Sequence, residues 1–117
     1  MGRLENFREV LSVYRKHGWR PARALLTRAA LAELGGGGEP AAGETMLEGM
    51  PVCESEVDAV WFTRGAQGGR EAWELRLVGP TPYALFELFE PDEPEEDRDD
   101  VRREMEARLV EHAGPRA

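Results

Sequence analysis

Charged side chains on three consecutive candidate strands have the types and spacing that metal-assisted or acid–base chemistry needs. Asp58 stands at the start of the first strand, and Glu74 and Arg76 lie two positions apart on the second. Two carboxylates on adjacent strands can hold a divalent cation that activates water. Glu87, on the third strand, is expected opposite Glu74, and facing carboxylates raise the pKa of one of them towards that of a general acid. Asp58, Glu74 and Glu87 are therefore a candidate polar cluster, although a neutralising Arg76 beside them also suits an ordinary sheet surface.

The pattern of Asp58 followed by Glu74-x-Arg76 resembles the restriction-endonuclease-like nucleases, whose motif is an Asp and a Glu-x-Lys on adjacent strands. The resemblance implies a metal-dependent hydrolase in which Asp58 and Glu74 hold the cation. Arg76 departs from the motif, because a guanidinium does not give up its proton and cannot act as the base. The formal charge of -8, from 15 basic and 23 acidic residues, also disfavours DNA, whose binding depends on neutralised phosphates. We therefore predict no nucleic-acid partner and keep catalysis as the alternative hypothesis.

Composition limits the other kinds of site. Cys53 is the single cysteine, and His17 and His112 are the two histidines, so neither a disulfide framework nor a multi-histidine zinc site can form within one chain. The segment 35–43, GGGGEPAAG, lacks the Lys-Ser or Lys-Thr of a phosphate-binding loop and reads as a flexible connector. We expect no metal and no cofactor. A charged N-terminus and the absence of any run of ~20 apolar residues predict no membrane association and a cytoplasmic protein.

Helices are predicted at both ends of the chain. Apolar residues recur at helical spacing over 4–17, and Gly18 suits the end of that helix. The segment 19–34 has two interpretations: one helix favoured by its alanines, or a strand at 22–26 and a short helix capped by Thr27. We favour the strand, because the later strands need partners. A C-terminal helix begins after Asp92 and stops at Gly114, with a frayed tail over 113–117.

The segment 57–90 predicts a three-stranded meander, because short turns make neighbouring strands antiparallel. We expect Arg64 opposite Glu71 and Val78 opposite Tyr83. This register collects apolar side chains on one core face: Val60, Phe62, Trp73, Leu75, Leu77, Ala84, Phe86 and Leu88.

The reverse face of the predicted sheet is too apolar for a solvated surface. Its aromatic and aliphatic residues with one arginine define the predicted interaction surface: Trp61, Arg76, Tyr83, Leu85 and Phe89. The N-terminal helix would cover one face and the C-terminal helix part of the other, or a second subunit would do so instead.

The sequence as a whole predicts one α+β domain over 1–117, an antiparallel sheet packed with an N-terminal and a C-terminal helix. We expect a non-catalytic protein-interaction module, adaptor, chaperone-like or immunity-like, that acts as a homodimer. Its size and acidity are similar to those of type III secretion chaperones and small toxin-immunity proteins. The acidic segment 90–100 suits a basic protein partner. The alternatives are the metal-dependent nuclease-like hydrolase and a small-ligand sensor.

Overall fold

The computed structural model describes residues 3–34, 46–47, 49–79 and 82–113, and within them it is an α+β fold. The elements are α1 (Arg3–Lys16), β1 (Arg20–Leu26), α2 (Arg28–Leu34), β2 (Met46–Leu47), β3 (Met50–Glu54), β4 (Ala59–Gly65), β5 (Glu71–Leu77), β6 (Ala84–Phe89) and α3 (Glu95–Ala113). Both terminal helices are confirmed, as is the strand followed by a short helix in 19–34. The predicted connector 35–43 and the tail beyond residue 113 lie outside the described residues.

The sheet is larger than predicted and of mixed direction. Its six strands run in the order β2-β3-β1-β4-β5-β6, with β1 parallel to β3 and every other neighbouring pair antiparallel. The meander β4–β6 and the possible fourth strand near 22–26 are confirmed, but the sheet as a whole has six strands and is mixed rather than purely antiparallel. The parallel pair arises because α2 lies between β1 and β3 in the chain, and a crossover of that length lets two strands run the same way.

Local signals explain where α1 and α2 begin and end. Gly18, at φ +86°, follows α1, and its backbone N–H donates to Arg15 O at 3.1 Å, a left-handed ending that glycine adopts without strain. Thr27 caps α2: its Oγ1 accepts from Ala30 N at 3.3 Å. The N–H of Thr27 itself donates to Asp58 Oδ1 at 2.8 Å, which ties the start of α2 to the residue before β4.

Helices cover both faces of the sheet. On one face α1 and α2 enclose a core that contains Phe7, Leu11, Leu26, Val60 and Phe62. On the other face α3 encloses a second core: Leu25, Val57, Ala59, Trp61, Leu75, Met105 and Leu109. Both cores belong to one sheet, because β4 sends alternate side chains into each and its residues 59–62 are all fully buried.

The predicted register is wrong by one residue in both hairpins. Gly65, and not Arg64, lies opposite Glu71. In the second hairpin Leu77 N donates to Tyr83 O at 2.8 Å, so Leu77 replaces Val78 as the partner of Tyr83. Residues 59–62 are buried on both sides and therefore carry no alternation from which the register can be read.

The corrected register redistributes side chains between the two faces. Residues 73, 75 and 77 of β5 join Trp61 on the α3 side. Glu74 lies opposite Phe62 and Phe86, and Arg76 lies opposite Val60 and Ala84, so these charged side chains share the α1 side. The predicted core face thus mixed residues that belong to opposite faces.

Candidate interaction surface

The α1 side of the sheet is only partly covered. The core under α1 and α2 draws on β1, β3 and β4, and most of the α1-side residues of β5 and β6 lie beyond it. Phe86 on β6 is 56% exposed and Leu88 is 41% exposed. Val13, at the nearby end of α1, is 51% exposed. We call this surface the shelf and define it by five residues: Val13, Glu74, Arg76, Phe86 and Leu88.

Tyr14 joins α1 to the floor of the shelf. Its ring stacks on Phe62 with centroids 4.0 Å apart and planes 8° from parallel. Its hydroxyl donates a hydrogen bond to Glu74 Oε2. Partial burial, followed by the bond to the Glu74 carboxylate, raises the pKa of Tyr14 well above its ordinary value, and Arg76 opposes that rise. The phenol therefore stays protonated and continues to donate at neutral pH.

A cavity of about 410 Å³ opens between the end of α1 and β5, lined by Val13, Tyr14, His17, Trp19, Glu74 and Arg76. Its polar groups are largely engaged with the protein itself. Glu74 accepts from Tyr14, Arg76 Nη1 donates to Leu77 O at 2.6 Å, and His17 Nδ1 lies 2.9 Å from Val13 O. These contacts position side chains and assemble no nucleophile with a base among the lining residues.

The outer edge of β6 borders the shelf. Within the described residues β6 pairs only with β5. Because Leu77 N donates to Tyr83 O, the odd-numbered residues of β6 direct their backbone groups towards β5. The N–H and C=O groups of Ala84, Phe86 and Leu88 therefore point outwards, away from the sheet. An edge of this kind can accept a further strand.

The predicted interaction surface is divided by the sheet. Trp61 and Phe89 are fully buried on the α3 side, and Tyr83 and Leu85 lie partly buried on that side. Arg76 alone of the five faces the other way, on the shelf. Phe89 was expected on the same face as Arg76 but lies opposite Glu71 on the far face.

α3 covers the face that holds most of the predicted interaction surface, which is one of the two coverings expected from the sequence. Trp61 Nε1 donates to Glu106 of α3 at 2.7 Å, and Tyr83 stacks on His112 at 3.6 Å. The guanidinium of Arg102, a buried residue, lies 4.6 Å from the ring centre of Trp73. These contacts let a helix with a narrow apolar stripe cover large aromatic side chains.

The candidate polar cluster is not assembled. Asp58 O accepts from Val78 N at 2.8 Å, which places Asp58 four residues along the ladder from Glu74, a separation of about 13 Å. Glu87 faces the α3 side, so the expected pairing of Glu74 with Glu87 is wrong. No group of three or more His, Cys, Asp or Glu residues within the described ranges could hold a metal ion. Asp58 and Glu74 in these positions cannot share one cation.

The prediction from sequence missed the apolar members of the shelf. Phe86 and Leu88 were assigned to the core, because the assumed register placed them beside Val60 and Trp73. β6 alternates Phe86 and Leu88 with Leu85 and Phe89, so large apolar side chains lie on both of its faces. Only the register of β6 against β5 tells the exposed Phe86 and Leu88 from the buried Phe89.

No protein-family model, curated protein sequence or solved structure matches the chain. Of the helices that the structure describes, none combines the length and apolar character needed to cross a membrane. The functional argument therefore rests on the geometry of the shelf and of the β6 edge.

Proposed function

We propose that the chain is a non-catalytic protein-interaction module that acts as a homodimer through the shelf and the outer edge of β6. One observation carries the proposal. Of the four large apolar side chains exposed among the described residues, Phe86 and Leu88 share one face of β6, and Val13 lines the same cavity as Glu74, the residue opposite Phe86. Exposed apolar side chains next to an unpaired strand are typical of surfaces that another polypeptide covers.

The polar groups near the shelf favour a macromolecular contact over catalysis. Glu74 and Arg76 are each bound to a neighbouring protein group, so neither is left to activate water. The separation of Asp58 from Glu74 gives the hydrolase alternative no support. A carboxylate and a guanidinium next to a phenylalanine and a leucine instead have the mixed composition of the rim and centre of a protein interface.

A basic protein partner, which would make the dimer an adaptor, is a further part of the proposal. The first turn of α3 carries Glu95, Glu96 and Asp97, and these acidic residues follow β6 after a short turn. Charges of one sign at the rim of an interface steer an oppositely charged partner towards it. The exposed single thiol of Cys53 suits the reducing cytoplasm, which is where we propose that the protein acts.

The homodimer is tested by sedimentation equilibrium of the wild type, Phe86→Glu and Met46→Glu. Met46, on the opposite edge strand β2, is 52% exposed and is a matched control for Phe86 at 56%. We expect a concentration-dependent dimer in the wild type and in Met46→Glu, and a monomer in Phe86→Glu. A wild type that stays monomeric at every concentration, or a dimer that Met46→Glu dissociates equally well, contradicts the proposal.

A further inference from the structure

We propose that two copies of the chain pair antiparallel through β6 with Phe86 opposite Phe86, so that their sheets join into one sheet of twelve strands. This inference rests on the proposed function and specifies the register of its interface. It follows from the direction of the backbone groups, from the residues that each register would place opposite one another, and from the charge at the centre.

The direction of the backbone groups excludes half of all registers. A two-fold axis perpendicular to the sheet reverses the strand and preserves its faces, so the shelf side of one copy continues into the shelf side of the other. The outward backbone groups belong to Ala84, Phe86 and Leu88. In an antiparallel pair, two outward-facing residues exchange both of their hydrogen bonds. Even-numbered residues must therefore lie opposite even-numbered residues.

The register centred on Phe86 gives hydrogen-bond partners to more of the outward backbone groups of β6 than its two nearest alternatives do. It places Phe86 opposite Phe86 and Ala84 opposite Leu88, so all three outward residues of each copy find partners within β6. A shift of two residues in one direction places Leu88 opposite Pro82, which has no N–H to donate. A shift of two residues in the other direction places Ala84 opposite Glu90, beyond the end of β6.

Charge disfavours one of the two alternative registers. A shift that places Phe86 opposite Leu88 also centres the pair on Glu87, and like charges directly opposite each other destabilise a strand pair. In the register centred on Phe86, Glu87 lies opposite Leu85 of the second copy. Each chain has a formal charge of -8, and in this register Glu87 of one copy does not lie opposite Glu87 of the other.

The contact is small. β6 contributes six residues, and the shelf adds Val13, Glu74 and Arg76. An interface of standard size draws on about 20–30 residues of each partner. We therefore expect a reversible dimer whose population depends on concentration, and the experiment covers a series of protein concentrations.

Disulfide trapping tests the register. Cys53→Ser removes the native thiol, which lies on β3 and away from β6. On this background Phe86→Cys brings two Cα atoms to about 5.5 Å, within the range of a disulfide. Ala84→Cys alone and Leu88→Cys alone hold their thiols on residues about 13 Å apart. In a mixture of differently tagged Ala84→Cys and Leu88→Cys chains, the thiol at position 84 of one copy lies opposite the thiol at position 88 of the other, and both chains retain Phe86.

We expect Phe86→Cys and the mixed pair to cross-link at least about tenfold faster than either Ala84→Cys or Leu88→Cys alone, since pairing raises the effective thiol concentration. Sedimentation of the Cys53→Ser background separates the two possible failures. A dimer in which the mixed pair cross-links no faster than the single variants overturns the register and leaves the homodimer standing. A monomer at every concentration overturns both. Circular dichroism of each variant checks that it is folded.

Discussion

The hydrogen bond from Tyr14 to Glu74 should contribute measurably to stability, because it links α1 to β5 across the edge of the core. Tyr14→Phe removes the hydroxyl and retains the ring that stacks 4.0 Å from Phe62. Hydrogen bonds to charged groups contribute about 1.5–3 kcal/mol, and because both side chains are half-buried we expect the low end, about 1.5 kcal/mol. Glu74→Ala removes the acceptor, and the double variant completes a thermodynamic cycle.

Urea unfolding of the four proteins, followed by circular dichroism, gives the coupling free energy between Tyr14 and Glu74. Tyr83→Phe is the matched control, because the described contact of Tyr83 is ring stacking on His112, which the variant keeps. A coupling below about 0.5 kcal/mol, or an equal loss of stability in Tyr83→Phe, would refute the reasoning. The bond from Tyr14 to Glu74 would then be no stronger than the bond that the hydroxyl makes to water in the unfolded chain.

Three further measurements follow from the same contacts. Because the folded pKa of Tyr14 is raised, its contribution to stability is fully present below the unfolded pKa near 10 and falls as the pH rises from there through the folded pKa. The stability difference between the wild type and Tyr14→Phe should therefore shrink progressively above about pH 10, and a constant difference from about pH 7 to about pH 12 would contradict this. Leu109 is a fully buried residue of α3, so Leu109→Ala should lower the free energy of unfolding by about 2–5 kcal/mol and shift the fluorescence of Trp61. An unchanged stability would exclude tight packing of α3 against the sheet. Thr27→Ala removes the cap of α2 and should cost about 1 kcal/mol in urea unfolding, whereas Thr27→Ser should retain most of it.

Signals confined to a few neighbouring residues were sufficient to predict most of the elements. Helical spacing and Gly18 predicted α1, and Thr27 predicted where α2 starts. β2 and β3 were missed because Met50–Glu54 contains Pro51 and shows little alternation, and β3 pairs with β1 from across a crossover. A pairing between residues so distant in the chain leaves no local pattern to recognise.

The position of the candidate site depended on the register, which the sequence did not determine. The apolar run from Ala59 to Phe62 fits either face. The loop that contains Gly68 and Gly69, both at positive φ, has five residues between the paired strand ends, whereas the assumed register had six. One residue of error exchanged Phe86 for Phe89 as the exposed aromatic side chain. Arg76 was assigned to a shared interaction surface and lies on the shelf, without its predicted neighbours.

The central place of β1 in the sheet has a consequence for biosynthesis. β1 precedes the other five strands of this sheet in the chain, whereas its neighbours β3 and β4 follow after α2, and the end of β4 lies about 40 residues downstream of the end of β1. At about 5–20 residues per second, a ribosome needs roughly 2–8 s to complete that stretch. Until β3 is made, the nascent chain carries the apolar residues Ala24–Leu26 without either of their neighbours in the sheet. The sheet therefore cannot assemble around β1 until β3 and β4 have been synthesised.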